Sequence, residues 1–206
     1  MSKLPPHLVL AAREIFDAMK SSRTDGILIG GAATMIHGSD RETRDLDINT
    51  NSFNFRDILA AKPVQIREGS SASRLKVTYM GPTRAVSCDI ASDHAQHIPI
   101  LLQYTHEFQG IRYASAPLLI VDKLLAYTER GVNKEKKRTN DLTDILFLAN
   151  KMVDNKESVS QELRKLLLKD ETLRVFFTSL AEEGNNDARE AAEAFFPQLG
   201  LDVEQW

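Results

Sequence analysis

The chain has one cysteine among 206 residues, one tryptophan, and only 7% aromatic side chains. A lone thiol, Cys88, excludes an internal disulfide and a thiolate metal cluster, and fits a reducing compartment. No apolar run approaches the roughly 20 residues a membrane-spanning helix requires. The opening Met1 to Pro6 lacks the apolar core of a signal peptide, so a cytoplasmic chain with no membrane partner is expected. Positive charge is not in excess either: 26 Lys and Arg stand against 29 Asp and Glu, for a net charge of −3 and a pI near 6.0. Composition therefore gives no support to binding through nucleic-acid phosphates and leaves room only for a local basic patch. Two nucleotide motifs are missing as well. No Gly-Lys-Ser or Gly-Lys-Thr follows the glycines, which excludes a P-loop, and the third glycine of a dinucleotide fingerprint is absent.

What remains is an ordinary globular composition, 42% hydrophobic and 27% charged, in a chain long enough for an α/β unit and a smaller helical one. Leu8, Ala11, Ala12, Ile15, Phe16 and Met19 recur at helical spacing. Ile27 to Ile29 is an apolar run too brief for a helix and predicts a buried strand. A short helix over Ala32 to His37 follows, then a charged loop from Ser39 to Arg44. Strands are predicted over 45–49, 64–67, 75–79 and 85–91, with a short one over 111–114 and a helix over 53–61. Beyond Pro117 only helical patterns occur, over 118–130, 141–152, 163–168, 173–180 and 188–196, with an interruption at Gly131-Val132-Asn133. The fold class is thus α/β (of the α+β kind): a mixed sheet with flanking helices over 1–115, and a helical bundle over 116–206.

The most informative stretch runs from Gly30-Gly31 to Arg44-Asp45-Leu46-Asp47-Ile48. A glycine pair where a strand opens into a helix lets backbone amides approach a phosphate. Asp45 and Asp47 lie on one strand face, about 6.5–7 Å apart along the chain. Two carboxylates are half of a Mg²⁺ site, which also draws on water and substrate phosphates. Asp89 is the third candidate, alternating with Val86, Cys88 and Ile90 as Asp45 and Asp47 alternate with Leu46 and Ile48. If the two strands pair, the three acids converge, and a two-metal displacement becomes possible with Asp89 as general base. An acid-apolar-acid match alone is more often a solvated strand face. The glycines upstream, with Arg41 and Arg44 between, make the combination much more specific.

This combination resembles the signature of the nucleotidyltransferase superfamily, which includes DNA polymerase β, the aminoglycoside and lincosamide nucleotidyltransferases and the AbiEii-type toxins. Pro117 to Ala126, with Arg130, Lys137, Asp141 and Asp144, is similar to the region after the core in the AbiEii-type and small antibiotic-modifying branch. The resemblance covers most of Gly26 to Ala149 and none of the last fifty or so residues. It implies a nucleotidyltransferase core followed by a helical domain that closes over the nucleotide. The implied activity is transfer of a nucleoside monophosphate from a nucleoside triphosphate to an acceptor hydroxyl or phosphate, with release of pyrophosphate. Asp45, Asp47 and Asp89 would be the catalytic and metal-binding residues for two Mg²⁺ ions. Gly30, Gly31, Arg44 and Lys123 would bind the nucleotide, ATP being one candidate. Gly31 stands where many members have serine, so only backbone contact is implied there. The acceptor is left open among a small molecule, tRNA and protein, and so are the oligomeric state and the alternative of a retired nucleotide- or partner-binding module.

Other residues have plainer readings. Asp141 and Asp144 share a helix face and are expected to cap it and pair with Lys137 or Arg138, with orientation of Lys123 or of the acceptor as the sharper alternative. Lys134 to Arg138 reads as a solvated turn, with the landing place of a phosphate-bearing acceptor as the alternative. His94, His97 and His106 read as surface loop histidines, and Cys88 as an inert core thiol.

Overall fold

A computed structural model describes residues 4–130 and 134–201, with the backbone alone for Asp170. Met1 to Lys3 and the interruption at Gly131-Val132-Asn133 lie outside the described residues. The chain divides into two compact units, Met1–Ser115 and Ala116–Trp206.

The first unit opens with helix α1 (Pro6–Ser21), where Pro6 takes the first helical position that lacks an intrahelical N–H bond. Its buried stripe includes Leu8, Ala11, Ala12, Ile15, Phe16 and Met19, the residues at helical spacing. Strand β1 (Gly26–Ile29) runs directly into α2 (Gly30–Ile36), so the glycine pair is the helix's first turn rather than the approach to it. There follow β2 (Asp45–Thr50), α3 (Arg56–Ala60), β3 (Val64–Glu68), β4 (Arg74–Met80) and β5 (Ala85–Ala91). A short α4 (Ile98–Leu101) between two 3-10 turns leads to β6 (Thr105–Phe108) and β7 (Ile111–Ala114).

The seven strands form one mixed sheet in the order β3-β4-β5-β2-β1-β7-β6. β2 pairs with β5 in parallel, as β1 does with β7, and the remaining neighbours are antiparallel. Leu46, Ile48, Val77, Cys88 and Ile90 are buried on one face, with α1 packed against β2 and β5. Side chains alternate along a strand, so Asp45, Asp47, Ser87 and Asp89 stand on the other face.

Sequence periodicity did not anticipate α4 or β6. β6 joins β7 through a two-residue turn, Gln109-Gly110, in which both residues have positive φ (53° and 80°). That is the conformation of a tight hairpin turn matched to strand twist. Thr105-His106-Glu107-Phe108 carries no apolar alternation, because this edge strand buries neither face fully. His106 is accordingly a strand residue rather than a loop histidine.

The second unit is helical among its described residues: α5 (Ala116–Glu129), α6 (Glu135–Asn155), α7 (Gln161–Leu167), α8 (Asp170–Glu182) and α9 (Asn186–Phe195). α5 packs on α6, with α8 against α5 and α9 against α6 and α8. Phe176 lies 5.2 Å from Tyr127, 5.3 Å from Phe177 and 5.6 Å from Phe196, measured between ring centroids. Ser160 caps α7 by accepting from the Leu163 N–H at 3.1 Å. Lys134 to Arg138 is not a turn: it opens α6, and Arg138 is nearly buried. No helix among the described residues is long and apolar enough to cross a membrane.

Candidate active site

The site is built where β1, β2 and β5 lie side by side. β2 pairs with β5 so that Asp47 is directly opposite Asp89, and Asp45 is opposite Ser87. Neighbouring strands are about 4.8 Å apart, so Asp47 and Asp89 are adjacent on one face. On the other flank Asp47 is opposite Ile29, the residue before the glycine pair. Asp45 is exposed, while Asp47 and Asp89 are partly covered.

Gly30 adopts φ +66°, and a Cβ added there would run into the Asp47 carboxylate. Only glycine combines that left-handed backbone with so close an approach. The turn is fastened from inside α2, where the buried Thr34 hydroxyl donates to the Gly30 carbonyl oxygen at 3.0 Å. At Gly31 an added Cβ would meet the Arg41 guanidinium and come within 3.0 Å of Thr43 Oγ1. Thr43 in turn donates to Asp45 Oδ1 at 2.8 Å. The loop before β2 thus folds back over the diglycine turn through Arg41 and Thr43. Arg44 is exposed and has no hydrogen-bond or ion-pair partner among the described residues. The sequence singles out Arg41 with Arg44 between the glycines and the acids, whereas Thr43 carries no signal there, because its contact is not local to a motif.

The three carboxylates press on a common neighbour. Burial pushes the Cys88 thiol well above its ordinary pKa, and the charges of Asp47, Asp89 and Asp45 push it further, in that order. Cys88 lies in the core beneath them and is held as an inert thiol.

These donors are hard carboxylate oxygens, the kind Mg²⁺ takes, and they crowd one face closely enough to act jointly on Cys88. The donor chemistry therefore fits a divalent cation held between β2 and β5. As the side chains stand, Asp45 is turned to Thr43, and Asp89 Oδ1 lies 3.7 Å from Lys76 Nζ on β4. Among the described residues no three His, Cys, Asp or Glu side chains are gathered into a finished metal cluster. Like charges crowded on one face repel, and each carboxylate gains by leaning toward a local donor or cation.

Lys123 belongs to the second unit and does not lie along a surface. It is buried on α5, with Nζ 2.9 Å from Asp141 Oδ1 and 2.8 Å from Asp144 Oδ2. Arg130 adds a contact of 2.7 Å from Nε to Asp141 Oδ2. Burial lowers the Lys123 pKa, but the charges of Asp144 and Asp141 and their hydrogen bonds outweigh it, so the ammonium is held above its ordinary value. Asp141 and Asp144 therefore pair with Lys123 rather than capping α6 or pairing with Lys137 or Arg138. Arg138 instead reaches Glu183 Oε1 at 2.6 Å and stacks 4.5 Å above the Tyr127 ring. Tyr127 donates to Glu183 Oε2 at 3.1 Å. Burial first, then the Glu183 charge, raises the Tyr127 hydroxyl to about 12.

With this geometry in view, the fold has counterparts. A Helicobacter pylori protein provisionally described as a nucleotidyltransferase superposes with a TM-score of 0.57 and 16% identity, covering 97% of this chain and 98% of its own. JHP933 from Helicobacter pylori superposes with a TM-score of 0.53 and 16% identity, covering 98% of this chain and 84% of its own. No family model and no curated protein matches the sequence. At such identities the likeness is one of fold alone. Neither likeness singles out the AbiEii-type or antibiotic-modifying branch.

Proposed function

We propose that the protein is a Mg²⁺-dependent nucleotidyltransferase that moves a nucleoside monophosphate from a nucleoside triphosphate to an acceptor hydroxyl. The observation that carries this reading is the in-register pairing of Asp47 with Asp89, with the Gly30 backbone against the Asp47 carboxylate. That arrangement brings an anion-accommodating turn and a hard-donor face to the same place, with Asp45 one position along. Fold likeness to a chain described as a nucleotidyltransferase supports it.

In this reading Asp45 and Asp47 hold the cations, and Asp89 holds one of them. When bound there, Mg²⁺ neutralises charge on the phosphate oxygens and makes the attacking hydroxyl more acidic. The backbone of Gly30 and Gly31 takes the leaving phosphates, with Arg41 above Gly31 and Arg44 free to swing toward them. Asp89 takes the hydroxyl proton. The acceptor oxygen forms a bond to the α-phosphorus, the bond from that phosphorus to the bridging oxygen breaks, and its electron pair departs with pyrophosphate. Positioning and charge do most of this work, since the protein forms no covalent bond of its own. The expectation for Lys123 is harder to sustain on geometry. Its ammonium is already shared by two carboxylates, and a phosphate would have to displace one of them.

The test is incubation with each of four α-labelled nucleoside triphosphates, with and without Mg²⁺, and a mixed cell extract as acceptor source. Transfer of label that needs Mg²⁺ and disappears in a folded Asp47→Asn variant is the expected result. Label transfer retained in that variant would overturn the assignment. Nucleotide binding that ignores Mg²⁺, with no transfer, would describe a binding module instead.

A further inference from the structure

The row of side chains that contains Asp89 continues past it. Asp89 on β5 is opposite Lys76 on β4, and Lys76 is opposite Arg67 on β3. Directly paired residues share a face, so Ile29, Asp47, Asp89, Lys76 and Arg67 form one line across five strands. The line has a direction: the glycine turn at one end, the carboxylates in the middle, two cations at the other. Beside it runs a second polar row, Asp45, Ser87, Thr78 and Gln65.

Neither cation is used by the fold. Lys76 Nζ stands 3.7 Å from Asp89 Oδ1, with the two side chains 62% and 46% exposed, beyond hydrogen-bond length. Arg67 is exposed and has no ion-pair partner among the described residues. Such a pair adds little to stability. In a chain of net charge −3, two cations lined up beside the acids are a local feature.

Phosphoryl transfer is in line: the attacking oxygen and the departing pyrophosphate lie on opposite sides of the reacting phosphorus. With pyrophosphate at the glycine end, the acceptor hydroxyl enters from the Asp89 side and the body of the acceptor extends over β4 and β3. We infer that Lys76 and Arg67 form an acceptor subsite for phosphates, and that the acceptor is the hydroxyl end of a single-stranded, phosphodiester-linked nucleic acid. This rests on the nucleotidyltransferase reading above. A cationic acceptor, such as an amine-bearing sugar, is repelled by this end of the row. A small acceptor needs a concave pocket with walls, whereas the strip is an open sheet face whose cations are set one strand apart, leading away from the acids. An extended chain with charge at every link suits that shape. Its phosphodiesters over Lys76 and Arg67 take no covalent part. The terminal hydroxyl loses its proton to Asp89 and bonds to the α-phosphorus as pyrophosphate leaves.

The experiment uses the full chain and a short fluorescent single-stranded oligoribonucleotide with a free 3′ hydroxyl, alongside the DNA oligonucleotide of the same sequence. Anisotropy is read over a range of salt without nucleoside triphosphate. Binding of at least one is expected, the RNA and DNA arms telling the two sources apart. The Arg67→Glu/Lys76→Glu variant should bind about tenfold or more weakly. Its slope of log affinity on log salt should be shallower by about 0.7 for each phosphate no longer neutralised. Lys76→Arg should keep the affinity, and thermal melting checks that each variant is folded. Equal binding by wild type and the charge-reversed variant, or capture of a sugar phosphate but of neither oligonucleotide, overturns the inference. Calorimetry with Mg²⁺ and nucleoside triphosphate separates the two levels. A protein that binds the triphosphate but treats the reversed variant as wild type keeps the proposed activity and loses this acceptor. One that binds the oligonucleotide through the two cations but no triphosphate loses the activity and keeps the surface.

Discussion

Asp45 and Asp47 on β2 and Asp141 and Asp144 on α6 carry the same charges in opposite surroundings. The helical pair is buried, with side chains 3% and 0% exposed, and is met by Lys123 and Arg130 at 2.7–2.9 Å. The strand pair faces outward beside Asp89. There Asp45 accepts from a hydroxyl, and Asp89 stands 3.7 Å from an ammonium. In one unit the chain supplies its own counter-ions. In the other, Asp45 keeps a hydroxyl donor and Asp89 an exposed ammonium at a longer distance. The difference teaches that acids at similar short spacing take opposite surroundings: one pair is buried among close cations, the other stands at a sheet face.

The comparison is broken most forcefully at Lys123. In Lys123→Met the two buried aspartates lose their shared ammonium, and breaking a buried pair from one side costs about 3–5 kcal/mol. Denaturant unfolding should show that loss at neutral pH. The sign of the pH dependence follows from the raised pKa of Lys123. Stability from the pair is fully present below the unfolded lysine value, about 10.4, and is lost as pH rises through the higher folded value. The gap between wild type and variant should therefore be constant through neutral pH and narrow only in strong alkali. A variant as stable as wild type at neutral pH would mean that the helical cluster is not the structural pair described.

The glycine turn sharpens the strand side of the contrast. Gly30→Ala forces a left-handed alanine against the Asp47 carboxylate, at a cost of about 1–3 kcal/mol. Gly31→Ala meets chiefly the far end of the Arg41 side chain and has no positive φ, so it should cost less. Melting curves of the two variants check the order. A reversed order would show that the approach of Gly30 to Asp47 does not govern the turn.

Much of this architecture was legible in the sequence. Alternation marked β2 and β5 and separated Leu46, Ile48, Cys88 and Ile90 from the aspartates, because burial of one sheet face writes itself into the chain with a period of two. What alternation does not encode is which strand lies next to which. The row through Lys76 and Arg67 depends on register between strands, and neither residue stood out in the sequence. For a similar reason the carboxylate partners of Lys123 stand only as the sharper alternative in the sequence. Asp141 lies 18 residues beyond it on another helix, and its nearer neighbours Lys137 and Arg138 looked like the simpler choice. The edge strand β6 was missed because four polar or half-exposed residues carry no burial pattern. Its Gln109-Gly110 turn reaches a tight hairpin conformation without the Asn or Asp that usually announces one.

The smallest effect on stability belongs to Asp45, and it is the sharpest separation of the two regions. Asp45 is exposed and accepts one hydrogen bond, from Thr43. Asp45→Asn keeps the side chain's size and its acceptor oxygen, and it relieves repulsion on a face that carries three carboxylates. Unfolding free energy should stay within about 0.5 kcal/mol of wild type, as for an ordinary surface change. The same substitution removes one of the two carboxylates assigned to both cations, so label transfer and Mg²⁺-dependent nucleotide binding should both fall sharply. That split is the mirror image of Lys123→Met, where the fold suffers first. If Asp45→Asn instead destabilises the chain and leaves Mg²⁺-dependent binding intact, the strand carboxylates serve the fold as the helical ones do. The distinction between a buried structural cluster and a cluster at the sheet face would then fail.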